Sequence, residues 1–275
     1  MLDRELMLLA SPVLANEQCK ICDAAVRPFG TGRVLGRHDV RYYRCETCGF
    51  VQTEPPYWLD EAYGTALIAA DVGAAQRNIE LAALTQAVIQ QFFRANGSFL
   101  DYGGGYGLFV RLMRDRGFDF RWHDRYAQNL LSRGFEAAAD SDGFELVTAF
   151  EVLEHLVDPV TELAQMLRRG DSVLCTTQIL PKTSPKPGAW WYYALSGGQH
   201  VSLFTVDALR RLAGRFGRRL ISDGVSIHLM TSQPVAEWLF RLVIRGRVHR
   251  VLNRLRRRES LLPSDFQALT GDRLD

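Results

Sequence analysis

The sequence predicts an α/β protein: a doubly wound parallel sheet with helices on both faces, a small cysteine-bearing module before it and a helical segment after it. Three observations point there. Strand-like and helix-like stretches alternate with short links from Ser98 to Gln178, an order that suits parallel strands joined by crossover helices. Glycines crowd "DYGGGYG" (Asp101–Gly107), directly after an apolar run and before a helix-like one. Four of the five cysteines form two C-x-x-C pairs near the start of the chain.

The elements follow in order. Residues 17–56 read as short strands and turns, with glycines at 30, 32, 36 and 49. "EPPYW" closes that segment, because paired prolines continue neither a helix nor a central strand. From Gly73 to Arg94, apolar residues at Ile79, Ala82/Ala83, Val88 and Phe92/Phe93 recur at helical spacing, and "ANG" ends the run. "SFLDY" is a strand, and "GLFVRLMRDRG" a helix closed by Gly117. "DFRWHD" is a strand, "AQNLLSRG" (Ala127–Gly134) a helix, and "FELVTAF" a strand. "VDPVTELAQMLRRG" is a helix entered through Asp158-Pro159, and "DSVLCTTQ" a strand. "TVDALRRLAGRFG" is a helix, after which "RRLISDG" and "VSIHLMT" pair as two final strands. The last forty residues read as basic helix with a break at Gly246. Three segments result: 1–56, 57–233 and 234–275.

A net charge of +2 does not by itself point to nucleic acid. No apolar run approaches the roughly 20 residues of a spanning helix. The N-terminal stretch "MLDRELMLLASPVLANEQC" has acids among its leading residues and no basic region ahead of its apolar part, so it does not read as a signal peptide. A cytoplasmic location is expected, where disulfides are improbable.

The glycines state what the loop is for. A helix N-terminus presents unpaired N–H groups and a positive dipole end, and glycine lets the backbone approach a ligand closely. A nucleotide-like or carboxylate-bearing ligand is therefore expected at the carboxyl end of the first sheet strand. The spacing is acid-x-G-x-G-x-G (Asp101, Gly103, Gly105, Gly107). It departs from the dinucleotide pattern, since position 108 is Leu, and no P-loop lysine follows.

"LDYGGGYG" resembles the first motif of class I S-adenosylmethionine-dependent methyltransferases. "FEVLEHLVDP" (Phe150–Pro159) resembles their stretch after strand four. "GGQHVSLFT" (Gly197–Thr205) is similar to the segment after strand five in a bacterial branch that accompanies sugar and polysaccharide modification. The resemblance covers roughly residues 75 to 230. It implies a Rossmann-like, seven-stranded sheet and a cofactor, S-adenosylmethionine, that leaves as S-adenosylhomocysteine. By the same resemblance the glycine loop passes under the cofactor, Asp101 approaches its amino group, and an acid ending strand two takes both ribose hydroxyls. Asp124 in "WHDRYAQN" stands about twenty residues past the loop, where such an acid is expected. Glu151 is expected on the cofactor side.

The pairs Cys19/Cys22 and Cys45/Cys48 have the spacing of two zinc knuckles. Four thiolates close a tetrahedral site and leave no position for water, so the metal is expected to be structural. A segment this poor in apolar residues needs such a staple. Some sugar C-methyltransferases carry a similar cysteine-rich module ahead of the same catalytic fold. Cys175, in an apolar run, is expected to pack in the sheet.

Methyl transfer to a hydroxyl or carbon acid requires removal of a proton, and histidine suits that task near neutral pH. His200 in "GGQH" is the first candidate, at the rim beyond the aromatic run Trp190–Tyr193. His155 in "EVLEH", between Glu151/Glu154 and the next helix, is the second. Tyr57, Trp58 and Tyr63 are expected to close the cleft from the other side. The expected acceptor is a small molecule, with a sugar or sugar nucleotide favoured. Methyl transfer to RNA, protein or a lipid-linked glycan, and a non-catalytic cofactor-binding scaffold, stay open beside it. Arginines recur from Arg241 to Arg258 among apolar residues. They suit either a weak contact with an anionic membrane or nucleic acid, or a solvated face of packed helices.

Overall fold

A computed structural model of the chain describes residues 18–63 and 72–274. The N-terminal expectation for residues 1–17 lies outside the described residues. In chain order the elements are β1 (Val26–Val34), β2 (His38–Cys45), β3 (Val51–Thr53), α1 (Leu59–Ala62), α2 (Ala74–Phe92), β4 (Ser98–Tyr102), α3 (Leu108–Asp115), β5 (Asp119–His123), β6 (Leu146–Phe150), α4 (Pro159–Arg169) and β7 (Ser172–Thr176). There follow β8 (Ser202–Leu203), α5 (Val206–Gly214), β9 (Arg219–Ser222), β10 (Ile227–Thr231), α6 (Glu237–Val243), α7 (Gly246–Leu255) and α8 (Leu262–Thr270).

The larger sheet has the order β5-β4-β6-β7-β10-β9. Its first four strands are parallel, and β10 runs antiparallel to both β7 and β9. Side chains alternate across it. Phe99, Leu146, Leu174 and Leu229 pack on one face with Val88, Phe109 and Phe240. Leu100, Val147, Val173 and Met230 pack on the other with Leu163, Met166 and Leu209.

Among the described residues, six strands stand in this sheet where seven are expected. Beside β5, the outer edge is reduced to a single parallel bridge between Trp122 and Glu136. The helix expected over Ala127–Gly134 is absent for a related reason. Asn129 Oδ1 accepts from Ser132 N (3.0 Å) and Ser132 Oγ (2.9 Å), while its Nδ2 donates to Ser132 O (2.9 Å) and Glu136 Oε1 (2.6 Å). Leu130 and Leu131 donate their backbone N–H groups to the Tyr106 carbonyl. Short polar side chains that bond nearby backbone compete with the helical ladder, and here they win.

The smaller sheet is antiparallel, ordered β1-β2-β3-β8. Its fourth strand comes from far along the chain: Val51 pairs with Leu203 and Gln52 with Ser202. The segment before β8 is stitched to the same module. Trp58 Nε1 donates to Gly198 O (2.7 Å), Leu35 N to Leu195 O (2.8 Å) and Gln199 Nε2 to Ala62 O (2.8 Å). Tyr192, Tyr193, Val201 and Leu203 share one core with Phe29, Val40, Tyr42 and Trp58.

Helices α6, α7 and α8 lie over α2 and α3. Asp265 of α8 receives a two-pronged bond from Arg114 of α3 (2.7 and 2.9 Å), with both side chains buried. The break expected at Gly246 lies just before it: α6 ends at Val243 and α7 begins with Gly246. Several of the C-terminal arginines bond the chain itself: Arg250 to Gly246 O, Arg256 to Gln90 O and Arg258 to Gly117 O. No helix among the described residues is long and apolar enough to cross a membrane.

Candidate active site

The carboxyl ends of β4, β5, β6 and β7 gather the predicted residues on one edge of the sheet. Leaving β4, the chain turns through Gly103, Gly105 and Gly107, at φ of 75°, 51° and 85°. These are left-handed conformations in which a side chain is strained. A Cβ on Gly103 would press on Val152 at 2.6 Å, and one on Gly104 would meet Trp122 and Asp101. A Cβ on Gly105 would meet nothing within 4 Å. The loop is thus packed from below and open above Gly105, which is the form a cofactor cradle takes.

Asp101 is almost wholly buried (3% exposed). Its Oδ1 accepts from Thr148 Oγ1 at 2.7 Å. Burial, with the nearby Asp124 charge, pushes its carboxyl up to about 7. A buried acid with no cationic partner among the described residues is costly, and a bound ammonium group would relieve that cost.

Asp124, one residue past β5, ties the cradle together. Oδ2 accepts from Gly105 N (2.9 Å), and Oδ1 from Tyr126 N (2.7 Å) and Ala127 N (2.8 Å). Three of the roughly four acceptor positions of a carboxylate are therefore filled by backbone. A ribose that took both hydroxyl bonds would have to displace one of them.

Glu151 follows β6 in a left-handed conformation, φ 55°, uncommon for a residue with a side chain and typical of functional sites. Its strain is held by Thr176, whose Oγ1 accepts from Glu151 N (2.9 Å) and donates to Glu151 Oε1 (2.8 Å). Burial and the charge of Glu154 raise its pKa.

The turn Leu153–His155 then brings Glu154 and His155 to the same edge. Glu154 is fully buried. Tyr192 Oη donates to its Oε1 at 2.6 Å, while Oε2 has no hydrogen-bond partner among the described residues. Burial pushes this carboxyl up to about 7. His155 and His200 meet edge to face with ring centroids 4.9 Å apart. His200 Nδ1 lies 2.6 Å from the Tyr192 carbonyl, so Nδ1 carries the hydrogen and Nε2 keeps its lone pair. His155 is bonded to the backbone of Gln199, and its Nδ1 has no hydrogen-bond partner among the described residues. Burial and His200 push His155 down to about 3, and burial lowers His200 as well, so both rings are neutral near pH 7.

Tyr63 bridges the two halves. It stacks on Tyr126 of the Asp124 loop (centroids 5.4 Å apart) and lies against His155 (6.3 Å). Of the aromatic groups expected to line the cleft, Trp58, Tyr192 and Tyr193 are core, and Trp191 alone among Trp190–Tyr193 is largely exposed, at 72%. Sequence reasoning placed Glu154 only as a neighbour of His155 and gave Tyr192 no polar role. The "EVLEH" spacing held the signal for Glu154; nothing in the sequence marked the tyrosine. The other histidines stand apart. His228 is buried between Ser222 and the Thr177 carbonyl, His38 bonds Glu61, and His123 packs on Tyr102. Cys175 is buried in β7.

The four remaining cysteines converge. Cys19 Sγ and Cys48 Sγ are 3.5 Å apart, Cys22 Sγ and Cys45 Sγ 3.6 Å, and all four lie within 4.8 Å of one another. Zinc bonds of about 2.3 Å in a tetrahedron ask for sulfurs about 3.8 Å apart. Ile21 N points at Cys19 Sγ (3.4 Å) and Cys48 N at Cys45 Sγ (3.5 Å), which would stabilise thiolates. The donor set fits zinc.

A family model described as a methyltransferase domain matches residues 74–223. No curated protein matches the chain. Among solved structures, the plantazolicin methyltransferase BpumL with S-adenosylhomocysteine is similar at TM-score 0.44 and 13% identity, over 71% of this chain and 84% of that one. Magnesium protoporphyrin IX methyltransferase of Synechocystis PCC 6803 with S-adenosylhomocysteine is similar at TM-score 0.41 and 12% identity, over 63% and 93%. TnmH is similar at TM-score 0.41 and 22% identity, over 65% and 62%.

Proposed function

The chain belongs to the methyltransferase-domain family and is an S-adenosylmethionine-dependent methyltransferase, and from that premise we propose that its acceptor is a small molecule, a sugar or sugar nucleotide, met by His200 and His155. One observation carries the reading. The Tyr192 carbonyl fixes His200 with Nδ1 protonated, which leaves Nε2 as a lone pair beside the cofactor edge of the sheet. Such a nitrogen removes or orients the proton of an acceptor hydroxyl, while the pocket aligns that oxygen with the sulfonium methyl. The exposed Trp191 ring is a platform on which a sugar face packs.

In this reading Gly103, Gly105, Gly107, Asp101, Asp124 and Glu151 hold the cofactor. Its positive charges answer the buried carboxylates. Cys19, Cys22, Cys45 and Cys48 hold a structural zinc in the segment 1–56. The transfer chemistry belongs to 57–233, and the helices of 234–275 brace it.

The test is His200→Ala, with S-adenosylhomocysteine affinity, melting temperature and turnover measured on one preparation. Affinity and melting temperature stay near wild type, and turnover over a panel of sugar acceptors falls by about 10² to 10⁴, the usual contribution of a positioned base. Full turnover in this variant removes His200 from the mechanism.

A further inference from the structure

Around His200, three atoms have no hydrogen-bond partner among the described residues, and they belong to three residues of one cluster. Glu154 Oε2 and His155 Nδ1 are buried with no hydrogen bond. His200 Nε2 is the free nitrogen of a ring whose other nitrogen is taken by the Tyr192 carbonyl. One donor atom from each of these residues lies within 4.8 Å of the others. An unmet carboxylate oxygen and an unmet imidazole nitrogen each cost stability when buried. Two such atoms in one cluster with a third lone pair call for a shared electrophile.

We infer that Glu154, His155 and His200 form a binding site for one divalent cation, separate from the four-cysteine zinc site, and that the cation's open positions receive an oxygen of the acceptor. The inference rests on reading this cluster as the acceptor side. It changes how the cluster acts: the two imidazoles hold the cation, and the cation polarises the acceptor oxygen.

The surroundings are those of metal ligands. A ligating histidine has its second nitrogen donated to a carbonyl or carboxylate, which fixes the ring and its tautomer. Here the Tyr192 carbonyl does this for His200 and the Gln199 backbone for His155. A ligating carboxylate is itself hydrogen-bonded, and Tyr192 Oη holds Glu154 Oε1 at 2.6 Å. One tyrosine thus supports two of the three ligands. Glu154 belongs to the turn after β6 and His200 to the strand-linked segment before β8, so the ligands come from separate, packed supports.

Two neutral nitrogens and one carboxylate oxygen suit Mn²⁺, Fe²⁺, Co²⁺ or Zn²⁺. Bonds of about 2.1 Å ask for donor atoms roughly 3 to 4 Å apart, so a bound of 4.8 Å leaves only a small rotamer adjustment. Three protein ligands leave coordination positions open, the condition for a catalytic site. The acceptor class that uses them best offers two adjacent oxygens, as a vicinal diol of a sugar does.

Mn²⁺ is the discriminating probe, because it prefers N and O donors and does not displace zinc from thiolates. The full-length protein, with metal analysis showing one zinc per chain and no more, is titrated with Mn²⁺ and free metal is read by electron paramagnetic resonance. Wild type takes up one Mn²⁺ per chain at submillimolar free metal. Glu154→Gln and His200→Gln weaken that uptake by more than the about 10- to 100-fold that loss of a supporting partner costs. Melting temperature and S-adenosylhomocysteine affinity, measured on the same samples, establish that each variant is folded.

Wild-type protein that takes up no Mn²⁺ overturns the site whatever the variants do. Uptake unchanged in folded Glu154→Gln and His200→Gln also overturns it, because the metal then sits elsewhere. Neither result touches the methyltransferase reading, which fails separately if wild type binds no S-adenosylhomocysteine.

Discussion

Replacing Asp124 with asparagine keeps the shape of the side chain and changes only what its two terminal atoms accept. The carboxylate takes three backbone N–H bonds, one on Oδ2 from Gly105 and two on Oδ1 from Tyr126 and Ala127. An amide has one oxygen. Its better orientation keeps that oxygen on Tyr126 and Ala127 and turns its NH₂ toward Gly105 N–H, donor against donor. One charge-assisted bond is lost, worth about 1.5–3 kcal/mol, and the two retained bonds weaken because their acceptor is neutral. The cost falls on the loop that must be formed before cofactor binds. A penalty of about 2–3 kcal/mol corresponds to roughly 30- to 150-fold weaker binding of S-adenosylhomocysteine. Calorimetric titration of the variant reads this directly, and its melting temperature separates a loop effect from general loosening. An Asp124→Asn protein that binds S-adenosylhomocysteine within about three-fold of wild type refutes the reasoning, since a 1.4 kcal/mol penalty is already ten-fold.

Further outcomes follow from the four-cysteine cluster and from the buried Arg114–Asp265 pair. Cys45→Ser removes one thiolate from a four-sulfur set, so metal analysis of freshly purified protein falls from one zinc per chain to less, and residues 18–56 become more open to proteolysis. Zinc-free wild type in chelator-free buffer would sink this. Asp265→Asn leaves the buried Arg114 without its main counter-charge but still bonded to Asp119 and the Phe120 carbonyl. The cost is therefore near the lower end for a broken buried pair, about 3 kcal/mol, and melting falls by about 5 to 10 °C. Burial works against the Asp265 charge, but the bonds to Arg114 and Arg111 outweigh it and hold its carboxyl below the ordinary range. Its stabilisation is thus complete above the unfolded value of about 3.9 and is lost as pH falls through the folded one. The gap in melting temperature between wild type and variant should accordingly close below about pH 4, and a gap that stays constant there contradicts the assignment.

What was legible in the sequence was whatever repeats locally. Phe99 and Leu100 announce a strand buried on both faces, and the spacing from Ile79 to Phe93 announces α2. Gly103, Gly105 and Gly107 each occupy a conformation that only glycine adopts at low cost, so the loop could be read residue by residue. The helix expected at Ala127–Gly134 failed because apolar spacing says nothing of where the Asn129 amide will bond. Strand β8 is two residues long and pairs with β3 across some 150 positions of sequence (no local pattern encodes that). Glu154 and Tyr192 were hidden for a different reason: their roles depend on which atoms are left unpaired, and that is settled by packing.

The pairing of β3 with β8 bears on how the chain can be divided. Residues 18–56 look removable on paper, a small module ahead of a catalytic fold. Their excision would bare the inner edge of β8, strip Val40 and Tyr42 from the core of Tyr192 and Tyr193, and release the carbonyls of Leu195 and Val201 from the donors Leu35 N and Thr53 N. Those are the residues that aim His200. A shortened enzyme starting at α2 would therefore keep its grip on cofactor and lose its aim at the acceptor. The cysteine module is, in engineering terms, the jig that holds one half of the active site, and a minimal catalytic fragment has to include it.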